Sequence, residues 1–163
     1  MASSSKYRAV RKYVVRRILA KLVIILDTNV LSETIRPEPA DPVMRWLAAQ
    51  EPSEVHVTAI TQAEVLYGIE RMPLGKRRTA LAATVEGILE LDFEGRILPF
   101  DEKAAHLYAL IVAGREALGH PISQFDAMIA AIARTFGAAI ATRNTRHFEH
   151  CGITVINPWS SLD

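Results

Sequence analysis

The sequence contains only one cysteine, Cys151, among its 163 residues. A single thiol cannot form an internal disulfide, so a disulfide framework is excluded and a reducing compartment such as the cytoplasm is expected. The chain also lacks any apolar run near the roughly 20 residues that a membrane-spanning helix needs. Half of its residues are hydrophobic, which is enough to bury the core of one domain.

Acidic residues are absent from positions 1–22, which hold seven of the 19 Lys and Arg residues. The other 12 basic residues face all 18 acids, so residues 23–163 carry a formal charge of about −6. The basic leader is either an amphipathic helix that contacts nucleic acid or membrane, or a disordered tail upstream of the true start. Its apolar segments are too short for a secretory signal. We expect the folded domain to span residues 23–163.

Short apolar runs alternate with amphipathic segments along this domain. Leu22–Leu26 is a continuous run rich in branched residues, as expected for a strand that is buried on both faces. Helices between successive strands imply a parallel sheet covered on both sides, which is a three-layer α/β/α fold. Further strands are predicted at residues 55–60, 97–100, 138–141 and 154–156.

Four helix starts can be read from their capping residues. Asp41 precedes Pro42, and Thr61 stands three residues before Glu64 in the spacing of a capping box. Asp101 is predicted to cap a third helix. Ser123 is predicted to cap a very apolar helix over residues 125–136, which we expect to run through the core.

Four polar residues fall where ligands gather in such sheets, at the carboxyl ends of strands and the adjoining helix N-termini. Asp27 ends the first strand, and Asn144 follows the fourth. Glu64 and Asp126 are expected in the first turns of helices that follow strands. A parallel sheet would bring all four together.

Each acid also has a purely structural interpretation. Asp27 could cap the short helix after it, and Glu64 and Asp126 could complete capping boxes with Thr61 and Ser123. Together, however, three convergent carboxylates would repel and raise one another's pKa values. A divalent cation with oxygen ligands would offset this repulsion, and Mg²⁺ or Mn²⁺ suits the set. Such an ion could activate water for attack on a phosphoryl group.

Other catalytic classes find no support. No Ser–His–Asp or Cys–His arrangement indicates a covalent nucleophile, and no glycine-rich phosphate loop indicates a nucleotide hydrolase. His147, His150 and Cys151 form only a weak zinc pattern, and we interpret them as surface or loop residues.

Several segments together resemble the PIN-domain toxins of the VapC and FitB type. They occur in the same order and at similar spacing over residues 23–159. They are IILDTNVLSE at 24–33, TQAEVLYGI at 61–69, ISQFDAMIAA at 122–131, ATRNTRHF at 141–148 and NPW at 157–159.

This resemblance implies a Mg²⁺- or Mn²⁺-dependent endoribonuclease whose catalytic and metal-binding acids are Asp27, Glu64 and Asp126, with the Thr28 hydroxyl supporting the site. Such proteins commonly have a fourth acid near Asn144. In this sequence Asn144 is an amide, which could still offer an oxygen ligand or hold a water, and His147 stands where aspartate is frequent.

The resemblance also implies partners. We expect an RNA substrate, a homodimer, and a small antitoxin whose tail covers the active site and often inserts an arginine among the acids. Basic residues of exposed loops, including Arg143 and Arg146, either select the RNA or form an ordinary solvated surface. An alternative function remains: a catalytically weak PIN fold that binds RNA or protein.

Overall fold

The computed structural model describes residues 22–160. Residues 1–21 and 161–163, and with them both interpretations of the basic leader, lie outside the described residues. The described chain forms five strands and six α-helices: β1 (Ile24–Leu26), α1 (Thr28–Thr34), α2 (Asp41–Ala48), β2 (Val55–Thr58), α3 (Ala59–Glu70), α4 (Lys76–Gly87), β3 (Ile97–Leu98), α5 (Glu102–Ala117), α6 (Gln124–Phe136), β4 (Ala139–Ala141) and β5 (Thr154–Ile156). Short 3₁₀ turns lie at Pro52–Glu54 and Thr145–Phe148, and a π-helical turn at Ile88–Asp92 extends α4.

The five strands form one parallel sheet in the order β3-β2-β1-β4-β5. The predicted parallel sheet is therefore confirmed, although several strands are shorter than their apolar runs. Strand β1 lies at the centre, between β2 and β4. The carboxyl ends of all five strands point to one edge, and the chain leaves β1 there at Asp27.

Side chains alternate between two apolar layers across this sheet, as the two-residue period of a strand requires. Ile24 and Leu26 of β1 belong to the layer that contains α1, α2, α3 and α4. Ile25 points the opposite way, into the layer that contains α5 and α6. Residues 129–133 of α6 are all fully buried, as expected for a helix in the core. The result is the predicted three-layer α/β/α fold.

Two of the predicted helix caps are confirmed. The Asp101 carboxylate accepts a hydrogen bond from the Ala104 N–H at 2.9 Å. The Ser123 hydroxyl accepts one from the Asp126 N–H at 3.1 Å. Both caps satisfy backbone donors that have no partner within their helix.

The prediction that Thr61 caps helix α3 is wrong. Thr58, at the end of β2, is the N-cap, and its hydroxyl accepts a hydrogen bond from the Thr61 N–H at 3.0 Å. The strand ends in extended backbone at Thr58, so the helix starts there, three residues early. Glu64 therefore lies in the second turn, not the first, and does not complete a capping box.

The cap of α2 also differs from the prediction. Ala40 is the N-cap and Asp41 is the first helical residue. The Glu33 carboxylate accepts the Ala40 N–H at 2.9 Å, and the Ala40 carbonyl accepts the Met44 N–H at 3.1 Å. These two hydrogen bonds hold the Ala40 backbone, so the helix starts one residue earlier than predicted. Asp41 then lies in the first turn, at the positive end of the helix dipole.

The helices of the described chain are too short or too polar for any of them to cross a bilayer.

Candidate active site

Asp27 lies at the centre of the carboxyl edge of the sheet and is only 5% exposed. Its backbone N–H donates to the Ala141 carbonyl of β4 at 2.9 Å, which continues the sheet by one residue. One carboxylate oxygen accepts the Thr28 N–H at 2.9 Å, so Asp27 is the N-cap of α1. The other accepts the Asn29 side-chain amide and the Thr142 hydroxyl, both at 2.7 Å. Three donors thus fix the carboxylate.

The pKa of Asp27 is raised above its ordinary value, chiefly because burial disfavours the charged form. Hydrogen bonds from Thr142 and Thr28 oppose this shift. The negative charge of Asp126 raises the pKa further, whereas His147 lowers it. Asp27 is therefore close enough to Asp126 to feel its charge.

Glu64 is half-buried on α3 and contacts the start of α1. The Thr28 hydroxyl donates to its carboxylate at 2.5 Å, which joins the start of α1 to α3. Burial is the largest cause that raises the pKa of Glu64, and the Thr28 hydrogen bond opposes it. The charges of Asp27 and Asp126 raise the pKa of Glu64 further. Glu64 therefore lies within electrostatic range of both Asp27 and Asp126.

Asp126 lies in the first turn of α6, where the sequence placed it. One of its carboxylate oxygens accepts a hydrogen bond from the Ser123 hydroxyl at 2.8 Å. The same oxygen is 3.1 Å from Nδ1 of His147, on the turn after β4. His147 is therefore a neighbour of the acids and not only a loop residue.

The three acids offer hard oxygen donors at the carboxyl edge of the sheet, near enough for the charges of Asp27 and Asp126 to raise the pKa of Glu64. Among the described residues, no Lys or Arg forms an ion pair with any of the three acids, and His147 contacts Asp126. No group of three His, Cys, Asp or Glu side chains in the described chain encloses a space for a metal ion. Mg²⁺ keeps several waters and is usually bound by one or two carboxylates, so it does not need three side chains around one point. The donor set therefore fits Mg²⁺ or Mn²⁺ bound with water.

Asn144 lies next to the cleft but its side chain does not join the acids. Its backbone N–H donates to the Thr142 hydroxyl at 3.0 Å. The side chain is exposed and makes no hydrogen bond to Asp27, Glu64 or Asp126 within the described chain. Its role as a ligand stays a prediction.

Asn29 and Thr142 are the supporting residues that the sequence analysis did not single out. Their side chains bind the same oxygen of Asp27 and contact each other, with Asn29 donating to the Thr142 hydroxyl at 3.1 Å. Thr142 directly follows β4 and Asn29 is two residues after Asp27. The sequence signal that could have identified them is their position, because each is a polar residue that closely follows a predicted strand.

The chain is similar to proteins of one known family. The PIN domain family matches residues 24–153. VapC ribonuclease Y4jK from Sinorhizobium fredii is 42% identical over 137 residues, which cover 84% of this chain and 98% of that protein. Toxin FitB from Neisseria gonorrhoeae is 39% identical over 137 residues, covering 84% of this chain and 99% of that protein.

A solved structure has the same fold. The crystal structure of FitAcB from Neisseria gonorrhoeae superimposes with a TM-score of 0.81 and 39% identity, over 85% of this chain and 99% of that one. Sequence and fold agree over nearly the full length of these relatives. The chain therefore belongs to the PIN domain family, which confirms the resemblance carried by its sequence motifs.

Proposed function

We propose that this protein is a metal-dependent endoribonuclease and the toxin of a toxin–antitoxin pair. The observation that carries the proposal is the position of the acids: Asp27 follows the central strand, Thr28 bonds both Asp27 and Glu64, and the charge of Asp126 raises the pKa of both. Relatives named VapC ribonuclease and Toxin FitB match the chain over more than four-fifths of its length. Both findings support cleavage of RNA over the alternative of a binding module without activity.

Asp27, Asp126 and Glu64 would hold Mg²⁺ or Mn²⁺. When bound, such an ion activates water and offsets charge on the phosphoryl oxygens. Without it, the three carboxylates would repel a polyanionic substrate. The cleft thus has the donors for the ion and little positive charge of its own.

The supporting residues orient these carboxylates. Asn29 and Thr142 both donate to the same oxygen of Asp27, and Thr28 donates to Glu64. Hydrogen bonds of this kind keep metal ligands in position and commonly change metal affinity when they are lost. Ser123 and His147 orient Asp126 in the same way.

An antitoxin is the partner that the site supports best. Proteins named FitAcB and VapBC are among the solved relatives, and the latter includes a DNA-bound complex from Salmonella typhimurium. A groove of about 520 Å³ starts at Thr28 and Glu64 and continues between α1, α3 and α4. Its walls include Val65, Ile69 and Leu81. An amphipathic antitoxin segment would fit this groove, with an arginine directed at the acids.

A homodimer completes the proposal. Light scattering on the purified protein would give twice the 18.0 kDa chain mass if it is correct, and the monomer mass would contradict it.

The deciding experiment is RNA cleavage by the purified protein in Mg²⁺ or Mn²⁺, with and without a chelator. We expect cleavage that stops on chelation and resumes when the ion is restored. Expression of the protein should inhibit growth, and co-expression of its cognate antitoxin should restore growth. RNA binding without cleavage under all these conditions would favour the binding module instead.

A further inference from the structure

Arg143 is tied to the acidic cleft through its backbone. It follows Thr142 directly, beyond the end of β4, and its N–H donates to the Asn29 side-chain oxygen at 3.1 Å. The amide nitrogen of the same Asn29 donates to Asp27 at 2.7 Å. Two hydrogen bonds therefore connect the Arg143 backbone to the central carboxylate, so its place at the rim of the cleft is fixed.

The Arg143 side chain is also held in place, over an aromatic ring. The guanidinium carbon lies 5.5 Å from the centre of the Trp159 ring, within the range of a cation–π contact. Trp159 is partly buried against the apolar layer that contains α1 to α4. Its backbone N–H donates to the Asn157 side chain at 3.0 Å, which fixes the turn after β5.

The guanidinium nevertheless remains available. Arg143 is exposed, and within the described chain no carboxylate forms an ion pair with it. A guanidinium stacked on one face keeps its edge N–H groups free, and these suit a phosphate as paired donors. Because the stacking restrains the side chain beforehand, less conformational entropy is lost when a phosphate binds.

The strand order places this cation beside the acids. Strand β4 is the neighbour of β1, and β5 is the neighbour of β4. Adjacent strands are about 4.8 Å apart, so Arg143 and Trp159 follow strands one and two spacings from the strand that ends at Asp27. An RNA strand lying along this edge would cross the acids and then reach Arg143.

We propose that Arg143 binds an RNA phosphate next to the one cleaved, with its guanidinium held by Trp159. The assignment rests on the proposed ribonuclease function and extends it to a substrate contact. It explains how an acidic cleft holds a polyanion: the ion would offset the acids, and Arg143 would bind the adjoining backbone. A merely structural Arg143 would instead only link the turn after β4 to the turn after β5.

The chain offers a matched control for this proposal. Arg71 is also exposed and lies over an aromatic ring, with its guanidinium carbon 5.8 Å from the centre of the Tyr67 ring. Arg71 is at the carboxyl end of α3, away from the sheet edge where the acids lie. Replacing it removes the same charge and the same kind of contact without affecting the cleft.

The test is RNA binding in Mg²⁺, measured by fluorescence anisotropy with a labelled single-stranded RNA at several salt concentrations. Asp126→Asn is the common background, so that the probe stays intact. Arg143→Ala and Arg143→Gln should weaken binding about tenfold, because each loses a charged hydrogen bond. The slope of log Kd against log salt should fall by about 0.7, as expected for one phosphate contact on a single strand. Arg143→Lys should keep most of the slope, and Arg71→Ala should change neither quantity.

Cleavage kinetics separate the possible outcomes. With Asp126 intact, Arg143→Ala should raise KM and leave kcat nearly unchanged, as expected when binding alone is lost. If the wild type cleaves RNA, and the Arg143 variants bind and cleave RNA as well as Arg71→Ala does, the Arg143 assignment alone is overturned. A lower melting temperature in Arg143→Ala, with Arg143→Gln binding RNA normally, would show a structural role and overturn it too. A wild-type protein that neither binds nor cleaves RNA would overturn the ribonuclease function and this assignment together.

Discussion

Replacing Thr142 by valine should weaken the metal site while keeping its shape. Thr142 is fully buried, and its hydroxyl donates to Asp27 at 2.7 Å while accepting from Asn29 and the Asn144 N–H. Valine fills nearly the same volume but offers no hydrogen bond. The substitution therefore removes one of the three donors to the carboxylate, together with the acceptor of the Asn29 amide and the Asn144 N–H.

The size of the effect follows from these contacts. A hydrogen bond to a charged group contributes about 1.5–3 kcal/mol, so the free energy of unfolding at neutral pH should fall by about 2 kcal/mol. Loss of a residue that orients a metal ligand costs about 10–100-fold in metal affinity. We therefore expect the Kd for Mn²⁺ to rise within that range. The pKa of Asp27 should rise further, because the Thr142 hydrogen bond lowers it.

Calorimetric titration with Mn²⁺ and denaturant unfolding would measure both quantities. Thr135→Val is the matched control, since the Thr135 hydroxyl donates only to the Ala131 carbonyl within α6, at 2.9 Å. It should cost less than about 1 kcal/mol and leave the Mn²⁺ affinity unchanged. If Thr142→Val binds Mn²⁺ as tightly as the wild type, Thr142 does not support a metal ligand and the reasoning fails.

Two further predictions concern stability. The pKa values of Asp27 and Glu64 are raised in the folded protein. The folded state therefore binds more protons than the unfolded state, and the metal-free protein should lose stability as pH rises from ordinary carboxyl values near 4 through the raised ones. Unfolding measured across this range should show a smaller decline in Glu64→Gln, and stability that rises with pH would contradict the assignment. Arg115 is buried and donates to the carbonyls of His120, His147 and Glu149. Arg115→Met should therefore lower the free energy of unfolding by about 3 kcal/mol or more, because those carbonyls lose a charged partner. Denaturant titration would measure this loss, and a stability equal to that of the wild type would show that water replaces the arginine.

The parallel sheet could be predicted from the sequence because its signals are local. Short apolar runs and helices between them leave few alternatives to a parallel sheet with helices on both faces. Ser123 and Asp101 were identified as helix caps for the same reason, since each bonds an N–H three residues or less into its helix. These features depend on near neighbours in the chain.

The cap of α3 could not be predicted because two threonines compete for it. Thr58 and Thr61 are both suited to an N-cap, and their hydroxyls lie 3.0 Å apart. The residue at which β2 ends decides which threonine is the cap. Strand β2 ends at Thr58 because its pairing with β3 reaches that residue. The outcome changes the interpretation of Glu64, because a residue in the second turn has no capping role and its carboxylate is left for the cleft.

The support of Asp27 depends on contacts that the sequence does not reveal. Thr142 reaches Asp27 across 115 positions, and Asn29 reaches Thr142 across 113. His147 belongs to the motif at residues 141–148, but its contact with Asp126 depends on how the turn after β4 packs against α6. Residue types and positions after predicted strands indicated the three acids, whereas their hydrogen-bond partners required the folded chain.

Cleavage of RNA by Asp126→Asn in Mg²⁺ or Mn²⁺ tests the role of the three acids most directly. The substitution keeps the size of the side chain and removes one negative oxygen of the proposed ligand set. We expect the cleavage rate to fall by about a hundredfold or more, because loss of a ligand should exceed the loss of a supporting residue. Asp41→Asn, at an exposed helix start, should cleave normally. An Asp126→Asn protein that is folded and cleaves RNA at the wild-type rate would contradict a metal-dependent site at this edge of the sheet.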